Sequence, residues 1–441
     1  MDRREFLKTA GVGAAALGVA ACAPKTITHV STASTHTGDP EGTMPQHKDG
    51  VSLLGYGCMR WKMIKDENDK DIIDQEYLNE LVDYAIAHGI TYFDSAPVYL
   101  QGQSEEATAK ALLRYPRDKY LIATKCSNFG DGPDSFENGK KMYQQSLKYY
   151  QTDHIDYYLL HNLSNYQAFY ERFEASKLID YFLEERQKGN IRNLGFSFHG
   201  NREGFDEMIA LHDKYHWDFV QIQMNYVDWS DDAEYLYNKL TEKNIPVVIM
   251  EPLLGGQLSS VPAAIADEFK SRRPEDSVAS WAFRFAGTFP NVLTVLSGMT
   301  YMDHLKDNLF TYLDMEPCSE EEIEFLRGMG KKIRNYPLIG CTGCQYCMPC
   351  PYGINIPGIF KFYNNSINND TYVSSKEQAD YAKARKRFLL AYDEAIPTVR
   401  QADHCIRCGK CSPRCPQHIR IPNELRRIDQ YIESLKQETI E

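Results

Sequence analysis

The chain has 441 residues, with 49 Lys and Arg against 61 Asp and Glu, for a formal net charge of −12. That acidic balance argues against a nucleic-acid partner read through a broad basic footprint. A hydrophobic fraction of 43% and a charged fraction of 25% describe an ordinary globular chain, and no run approaches the ~20 apolar residues of a membrane-spanning helix.

Residues 1–22 read as an address rather than a fold element. Arg3 and Arg4 precede Phe6, Leu7 and Lys8, and a weakly apolar run follows from Gly11 to Ala21, the layout of an export signal. The paired arginines resemble the twin-arginine signal. Val19-Ala20-Ala21-Cys22 resembles a lipoprotein processing box, which implies a lipid anchor at Cys22 and a membrane-anchored protein on the periplasmic side. A frayed N-terminal helix with a chance Arg pair is the alternative. Residues 23–42 are rich in Ser, Thr and Gly, too poor in large apolar side chains to order themselves, and are expected to form a flexible tether.

From residue 43 to 317 short β-rich runs alternate with longer amphipathic ones. The strands are expected at Leu53–Cys58, Thr91–Asp94, Leu121–Lys125, Ile155–His161, Asn193–Phe198, Phe219–Asn225, Pro246–Glu251 and Val292–Ser297. The helices are expected near Gln75–His88, Glu105–Leu113, Lys140–Tyr150, Ala168–Lys188, Glu203–Tyr215, Asp231–Glu242, Val278–Ala286 and Met302–Tyr312. The strand runs are nearly continuous in apolar residues, as parallel strands covered on both faces require. Eight β-then-α units in about 265 residues predict an α/β fold, a (β/α)8 barrel. An open doubly wound sheet is the alternative, weakened by the lack of a G-x-G-x-x-G after any strand.

Chemistry in such barrels gathers at the C-terminal strand ends. Those ends carry Asp94, Lys125, His161, Ser197, Gln223, Asn225 and Glu251, a polar ring that a bare scaffold would not need. Carbonyl reduction needs hydride on carbon and a proton on oxygen. A Tyr phenol can give that proton, and an ammonium beside it would lower its pKa toward use. Tyr99 beside Lys125, with Asp94 pairing the Lys and His161 orienting the carbonyl, would meet the need. Packing and structural ion pairs are the plain readings of each residue alone; their joint order on successive strands favours catalysis.

These segments resemble the aldo-keto reductase family over about Thr43–Leu313: Asp94-Ser95-Ala96-Pro97-Val98-Tyr99, Ala123-Thr124-Lys125, and Thr152–His161 with Ser146-Leu147 before it. The resemblance implies catalytic Asp94, Tyr99, Lys125 and His161. It implies nicotinamide contacts at Ser197, Gln223 and Tyr226, a pyrophosphate loop at Pro252, Leu253 and Gly255, and an adenosine end at Gly298 and Asn308. The family's usual Lys or Arg near Thr300 is missing, which leaves both NADP and NAD open. Trp61, Phe129 and Trp229 are the expected lining of the substrate pocket.

Residues 318–441 change character. Cys341-x2-Cys344-x2-Cys347-x2-Cys350-Pro351 is followed, after a helical stretch, by Cys405-x2-Cys408-x2-Cys411-x3-Cys415-Pro416. The second run has the bacterial ferredoxin spacing, in which the fourth Cys serves the other cluster. A small α-helical ferredoxin-like domain with two 4Fe-4S clusters is expected. Cys341, Cys344, Cys347 and Cys415 would hold one cluster, and Cys405, Cys408, Cys411 and Cys350 the other. Zinc sites and disulfides are the alternatives. Cys58, Cys126 and Cys318 read as plain buried thiols.

The leading expectation is an oxidoreductase interconverting a small carbonyl and an alcohol, its clusters relaying single electrons, drawn from a membrane electron-transfer partner if the protein is exported. A reductase with structural or sensing clusters, and a non-enzymatic electron carrier on a retired barrel, are the alternatives.

Overall fold

The computed structural model describes residues 31–47, 49–129, 135–378 and 380–440. The expected export signal and Cys22 lie outside the described residues, as does the tether up to residue 30.

The described strands are β1 (Leu54–Gly57), β2 (Met63–Lys65), β3 (Asp71–Ile73), β4 (Tyr92–Asp94), β5 (Leu121–Cys126), β6 (Ile155–Leu163), β7 (Ile191–Phe198), β8 (Phe219–Gln223), β9 (Val247–Met250) and β10 (Val292–Ser297). Eight of them close a parallel barrel in the order β1-β10-β9-β8-β7-β6-β5-β4, with β4 pairing back onto β1. Alternate residues point into the barrel and onto the helix layer. Tyr92, Ala123, Tyr157, Leu159, Phe219 and Val248 thus form one apolar cluster, separate from the larger one beneath the helices. The barrel expectation holds, with β8 ending at Gln223 because Asn225 turns the chain: its Oδ1 accepts from the N–H groups of Val227 and Asp228.

Three features depart from the expected elements. An antiparallel hairpin, β2 with β3, follows β1; its strands are too short to show a period. The helix expected over Ala168–Lys188 is broken by Lys177 in the left-handed region (φ 61) and resumes at Leu178–Gln187. An additional helix, Ala263–Arg272, follows the Gly255-Gly256 loop.

Residues 31–42, expected to be a free tether, are pinned to the barrel. Backbone bonds join Thr35 N–H to Glu275 O and Val278 N–H to Thr32 O, each at 2.8 Å. Lys270 Nζ donates to Ala33 O at 2.5 Å, Lys306 pairs with Asp39 at 2.5 Å, and His36 stacks on Phe310 at 4.9 Å. Backbone pairing and ion pairs fix this strap where apolar burial could not.

The barrel's core runs past residue 317. The helix Glu320–Arg334 starts with a capping box between Ser319 and Glu322 and buries Leu326, Met329 and Ile333 in the barrel's own apolar cluster. A second cluster begins at Ile339. It joins the helices Ile356–Asn368, Tyr381–Ala395 and Ile421–Lys436 around Phe360, Tyr363, Phe388 and Leu425, giving the expected helical C-terminal region.

Candidate active site

Asp94 ends β4 and Lys125 lies near the end of β5, so both reach the same rim of the barrel. Lys125 Nζ donates to Asp94 Oδ1 at 2.5 Å and to Ser95 O at 2.9 Å, with both side chains almost fully buried. Asp94 Oδ2 is buried without a hydrogen-bond partner among the described residues. A buried pair of this kind carries a desolvation cost that its geometry only partly offsets. The Lys125 ammonium lies 5.0 Å from the centre of the Tyr99 ring.

Burial raises the Tyr99 phenol well above its ordinary value, with Tyr346, Asp94 and Glu251 adding to the rise. This corrects the expectation that Lys125 would bring it down: removal from water outweighs one cation already paired with a carboxylate. Tyr99 therefore stays protonated, the form a proton donor needs.

His161 sits where β6 is bulged against β7 and Asn162 takes φ 57, which turns the ring into the mouth. Burial lowers its pKa well below 6.5, with Lys125 and Arg172 pushing the same way, so the imidazole is neutral. Ser127 Oγ lies 2.6 Å from Nδ1, and Tyr346 Oη lies 3.4 Å from Nε2. Arg172 locks the backbone behind the ring, donating to Asn128 O, His161 O and Asn162 O at 2.6–3.0 Å.

Asp94, Tyr99, Lys125 and His161 face one cavity of about 770 Å³. It runs past Ser197, Pro252, Leu253, Gly255 and Gly298 to His304, Asn308 and Phe310, and the strap residues Thr32–Ser34, His36 and Gly38 border the same cavity. Gly255 (φ 68) and Gly256 (φ 95) form a loop that few other residues could build. Ser197 Oγ accepts from Asn162 N–H at 2.8 Å, and Asn308 Nδ2 donates to Ser297 Oγ at 2.8 Å. An elongated cavity with polar groups along it fits a dinucleotide laid from the catalytic rim outward.

Two expected nicotinamide contacts are not in that cavity. Gln223 is spoken for: its Nε2 donates to Asp228 Oδ2 at 2.7 Å, and it exchanges amide hydrogen bonds with Gln417 at 2.9 and 3.3 Å. Tyr226 turns into the core between Phe269 and Phe285, sent there by the Asn225 turn, and its hydroxyl has no partner among the described residues. Trp61 and Trp229 are also core residues. Trp61 stacks on Tyr56 and donates to Thr108, while Trp229 stacks on Phe289 at 4.4 Å. Phe129 alone of the three stays at the mouth, 5.3 Å from the His161 ring.

The roof of the cavity comes from the C-terminal region, through Cys344, Tyr346 and Pro416. Arg60, on the loop after β1, donates to Thr342 O, and Gln257 Nε2 donates to Cys341 O at 3.2 Å. A side chain at Gly255 would strike Thr342, its Cβ only 2.3 Å from Thr342 Cα. His418 bonds His199 O at 3.0 Å. Composition and periodicity cannot reveal such contacts; the one sequence signal was the nearness of Tyr346 and Gln417 to cluster-type cysteines.

Behind this roof, Cys341, Cys344, Cys347 and Cys415 line a second cavity with Ile356, Pro357 and Phe360. Burial raises Cys344 to about 11 and Cys347 to about 12, with neighbouring thiols adding to both. No described group of three or more Cys, His, Asp or Glu has the spacing to grip a single metal ion; four thiols around a cavity fit a larger inorganic cluster instead. In the second run burial raises Cys411, with Cys405 and Cys408 contributing, and Cys350, Cys405 and Cys411 pack on the same apolar cluster. The two runs share a backbone signature. Gly343 and Arg407, each just before the second Cys, take φ 66 and 58, and Gln345 and Gly409, just after it, take φ 66 and 75. Cys58, Cys126 and Cys318 are free and buried.

Comparison with known proteins accords with this geometry. The aldo/keto reductase family model matches residues 53–330, and a 4Fe-4S dicluster domain model matches residues 340–420. The chain belongs to the aldo/keto reductase family and is an oxidoreductase, with a 4Fe-4S domain at its C-terminal end. A relative described as uncharacterized oxidoreductase YqkF of Bacillus subtilis is 26% identical over 310 residues, covering 64% of this chain and 94% of its own. The solved aldo-keto reductase AKR11C1 from Bacillus halodurans superimposes with a TM-score of 0.51 at 23% identity, covering 66% of this chain and 96% of its own. An aldo-keto reductase from Klebsiella pneumoniae in complex with NADPH gives 0.50 at 22% identity, covering 63% of this chain and 91% of its own.

Proposed function

We propose that the protein reduces a small carbonyl compound to an alcohol, and oxidises the alcohol in reverse, at the Asp94–Tyr99–Lys125–His161 rim. A bound nicotinamide would supply or take the hydride, and 4Fe-4S clusters, when bound, would supply or take single electrons. The carrying observation is that all four side chains face one cavity of about 770 Å³ that continues past Gly255 and Gly298 to His304 and Asn308.

The reaction balances as one hydride to the carbonyl carbon and one proton to its oxygen, giving an alcohol and an oxidised nicotinamide. Neutral His161 donates a hydrogen bond from Nε2 to the carbonyl oxygen. Ser127 donating to Nδ1 would hold the ring proton on Nε2. Tyr99 gives its phenolic proton to the oxygen as charge develops there. Lys125, held by Asp94, steadies the phenolate left behind. Ser197, Pro252, Leu253, Gly255, Gly298 and Asn308 would hold the dinucleotide. NADP and NAD both remain within the reading; the NADPH complex of the Klebsiella pneumoniae relative supports the first.

The reading assigns Cys341, Cys344, Cys347 and Cys415 to one cluster and Cys405, Cys408, Cys411 and Cys350 to another. Cys344 borders both cavities, which supports an electron path between them. We further propose export by the twin-arginine route, a lipid anchor at Cys22 and a membrane electron partner; radiolabelled palmitate entering wild type but not Cys22→Ser would support the anchor. The engagement of Gln223 by Gln417 favours one second reading, in which nicotinamide binds weakly and electrons enter through the clusters.

An anaerobic titration of cluster-loaded protein with NADPH and then NADH separates these readings. Tight binding with bleaching of cluster absorbance supports one electron path. Binding without bleaching leaves a reductase with structural clusters. Failure of both nucleotides to bind defeats the nicotinamide assignment.

A further inference from the structure

We infer that Tyr346 is a substrate-contacting residue of the barrel's active site, lent by the first cysteine run, and that it selects carbonyl compounds bearing a hydroxyl on the adjacent carbon. The inference rests on the carbonyl-reductase reading above.

Tyr346 lies between two cysteines of the first run, and its hydroxyl meets a barrel residue. It reaches to 3.4 Å from His161 Nε2, the atom that reading gives to the substrate oxygen. Its ring packs against Phe129 and His161, with centroids 6.3 and 6.4 Å away. It faces the same cavity as Tyr99, Lys125 and Asp94. A residue that served only as a plug would need the ring and not a hydroxyl within reach of His161.

The loop that carries Tyr346 is anchored to the barrel. Arg60 holds Thr342 O, Gln257 holds Cys341 O, and Thr342 fills the space that Gly255 leaves open. The phenol is therefore a fixed wall of the site and not a passing neighbour.

A contact of 3.4 Å is at the long end for a hydrogen bond, so an incoming carbonyl oxygen can take His161 Nε2 from it. The half-buried Tyr346 hydroxyl is then beside the reacting carbonyl and free to bond a group of the substrate. A hydroxyl on the adjacent carbon sits one hydrogen bond's width from the carbonyl oxygen and can supply it. Arg60 and Glu251 also face the cavity, so its catalytic end suits an oxygen-rich substrate better than an alkyl or aryl aldehyde. A site built to bond a substrate hydroxyl discriminates against the analogue lacking it, because its own polar group is then left unpaired.

Glycolaldehyde and acetaldehyde differ by that hydroxyl and serve as probes on the full-length, cluster-loaded protein. Wild type is expected to favour glycolaldehyde. Tyr346→Phe is expected to cut kcat/KM for glycolaldehyde by about tenfold, mainly through KM, and to leave acetaldehyde within about twofold. Calorimetric affinity for glycolaldehyde should fall in step, with cluster absorbance and melting temperature unchanged. Equal effects on both aldehydes, or no effect on either, overturn the inference. Should Tyr346→Phe fail to load its clusters, Tyr346→His keeps a ring donor and must retain the preference; its loss there overturns the inference as well. Wild type that turns over neither aldehyde nor any other carbonyl removes the reductase reading together with the inference. Wild type that turns them over while Tyr346→Phe matches it removes the inference alone.

Discussion

Tyr99 and His161 are driven in opposite directions by the same burial, and both end in the protonation state that carbonyl reduction uses. The phenol is raised above 10.0 and the imidazole lowered below 6.5. Reduction should therefore show no inflection at 6.5, where an exposed histidine would take up a proton, nor any loss on approaching 10. Alcohol oxidation needs the phenolate and should climb into the alkaline range instead. A kcat/KM profile in both directions checks this, and a fall of the reduction rate centred near 6.5 would contradict it. Tyr99→Phe should cost about 10²–10⁴ in kcat, the usual worth of a positioned acid, with cluster absorbance retained. Ser127→Ala frees the His161 tautomer and should lower kcat about tenfold with a smaller change in KM. The four side chains that meet at the barrel mouth were legible in sequence because Asp94, Lys125 and His161 lie at or near the ends of three successive strands and Tyr99 follows the first of them. Ser127 and Tyr346 were not, since each meets His161 from a position distant in the chain. Tyr226, Trp61 and Trp229 misled because an aromatic residue near a strand end reads alike whether it turns into the cavity or the core.

At the scale of elements, the Gly255 loop and the Thr342 loop are fitted to each other. Gly255→Ala would place a methyl group on Thr342 in a backbone region that alanine rarely adopts. The expected cost is about 1–3 kcal/mol, read as a lower melting temperature and faster cluster loss, while Gly256→Ala meets no atom within 4 Å and should cost only the strain. The eight barrel strands were readable because double burial writes itself as unbroken apolar runs. The β2–β3 hairpin and the break at Lys177 were not, since single left-handed residues leave no period. The strap over residues 31–42 escaped a composition argument because backbone and charge hold it in place of a packed face.

For the whole molecule, the meeting of barrel and C-terminal region is the feature that no local pattern announced. Gln223 with Gln417, and His199 with His418, join surfaces 194 and 219 residues apart in the chain. Gln417→Ala should leave Gln223 held by Asp228 alone and its amide oxygen without its Gln417 partner. If Gln417 is what restrains nucleotide binding, the variant should bind NADPH or NADH more tightly than wild type, a change that fluorescence titration would detect; unchanged affinity would mean that Gln223 takes no part.

Cys344 borders both the reaction cavity and the cavity between the thiols. One sulfur thus forms part of the wall separating inorganic chemistry from open solvent. Whatever fills the mouth also stands guard over that sulfur. Protein exposed to air with its mouth empty should bleach quickly, and the same protein saturated with nucleotide should keep its colour longer. With a cluster held at Cys344, endurance in oxygen would become a property of occupancy.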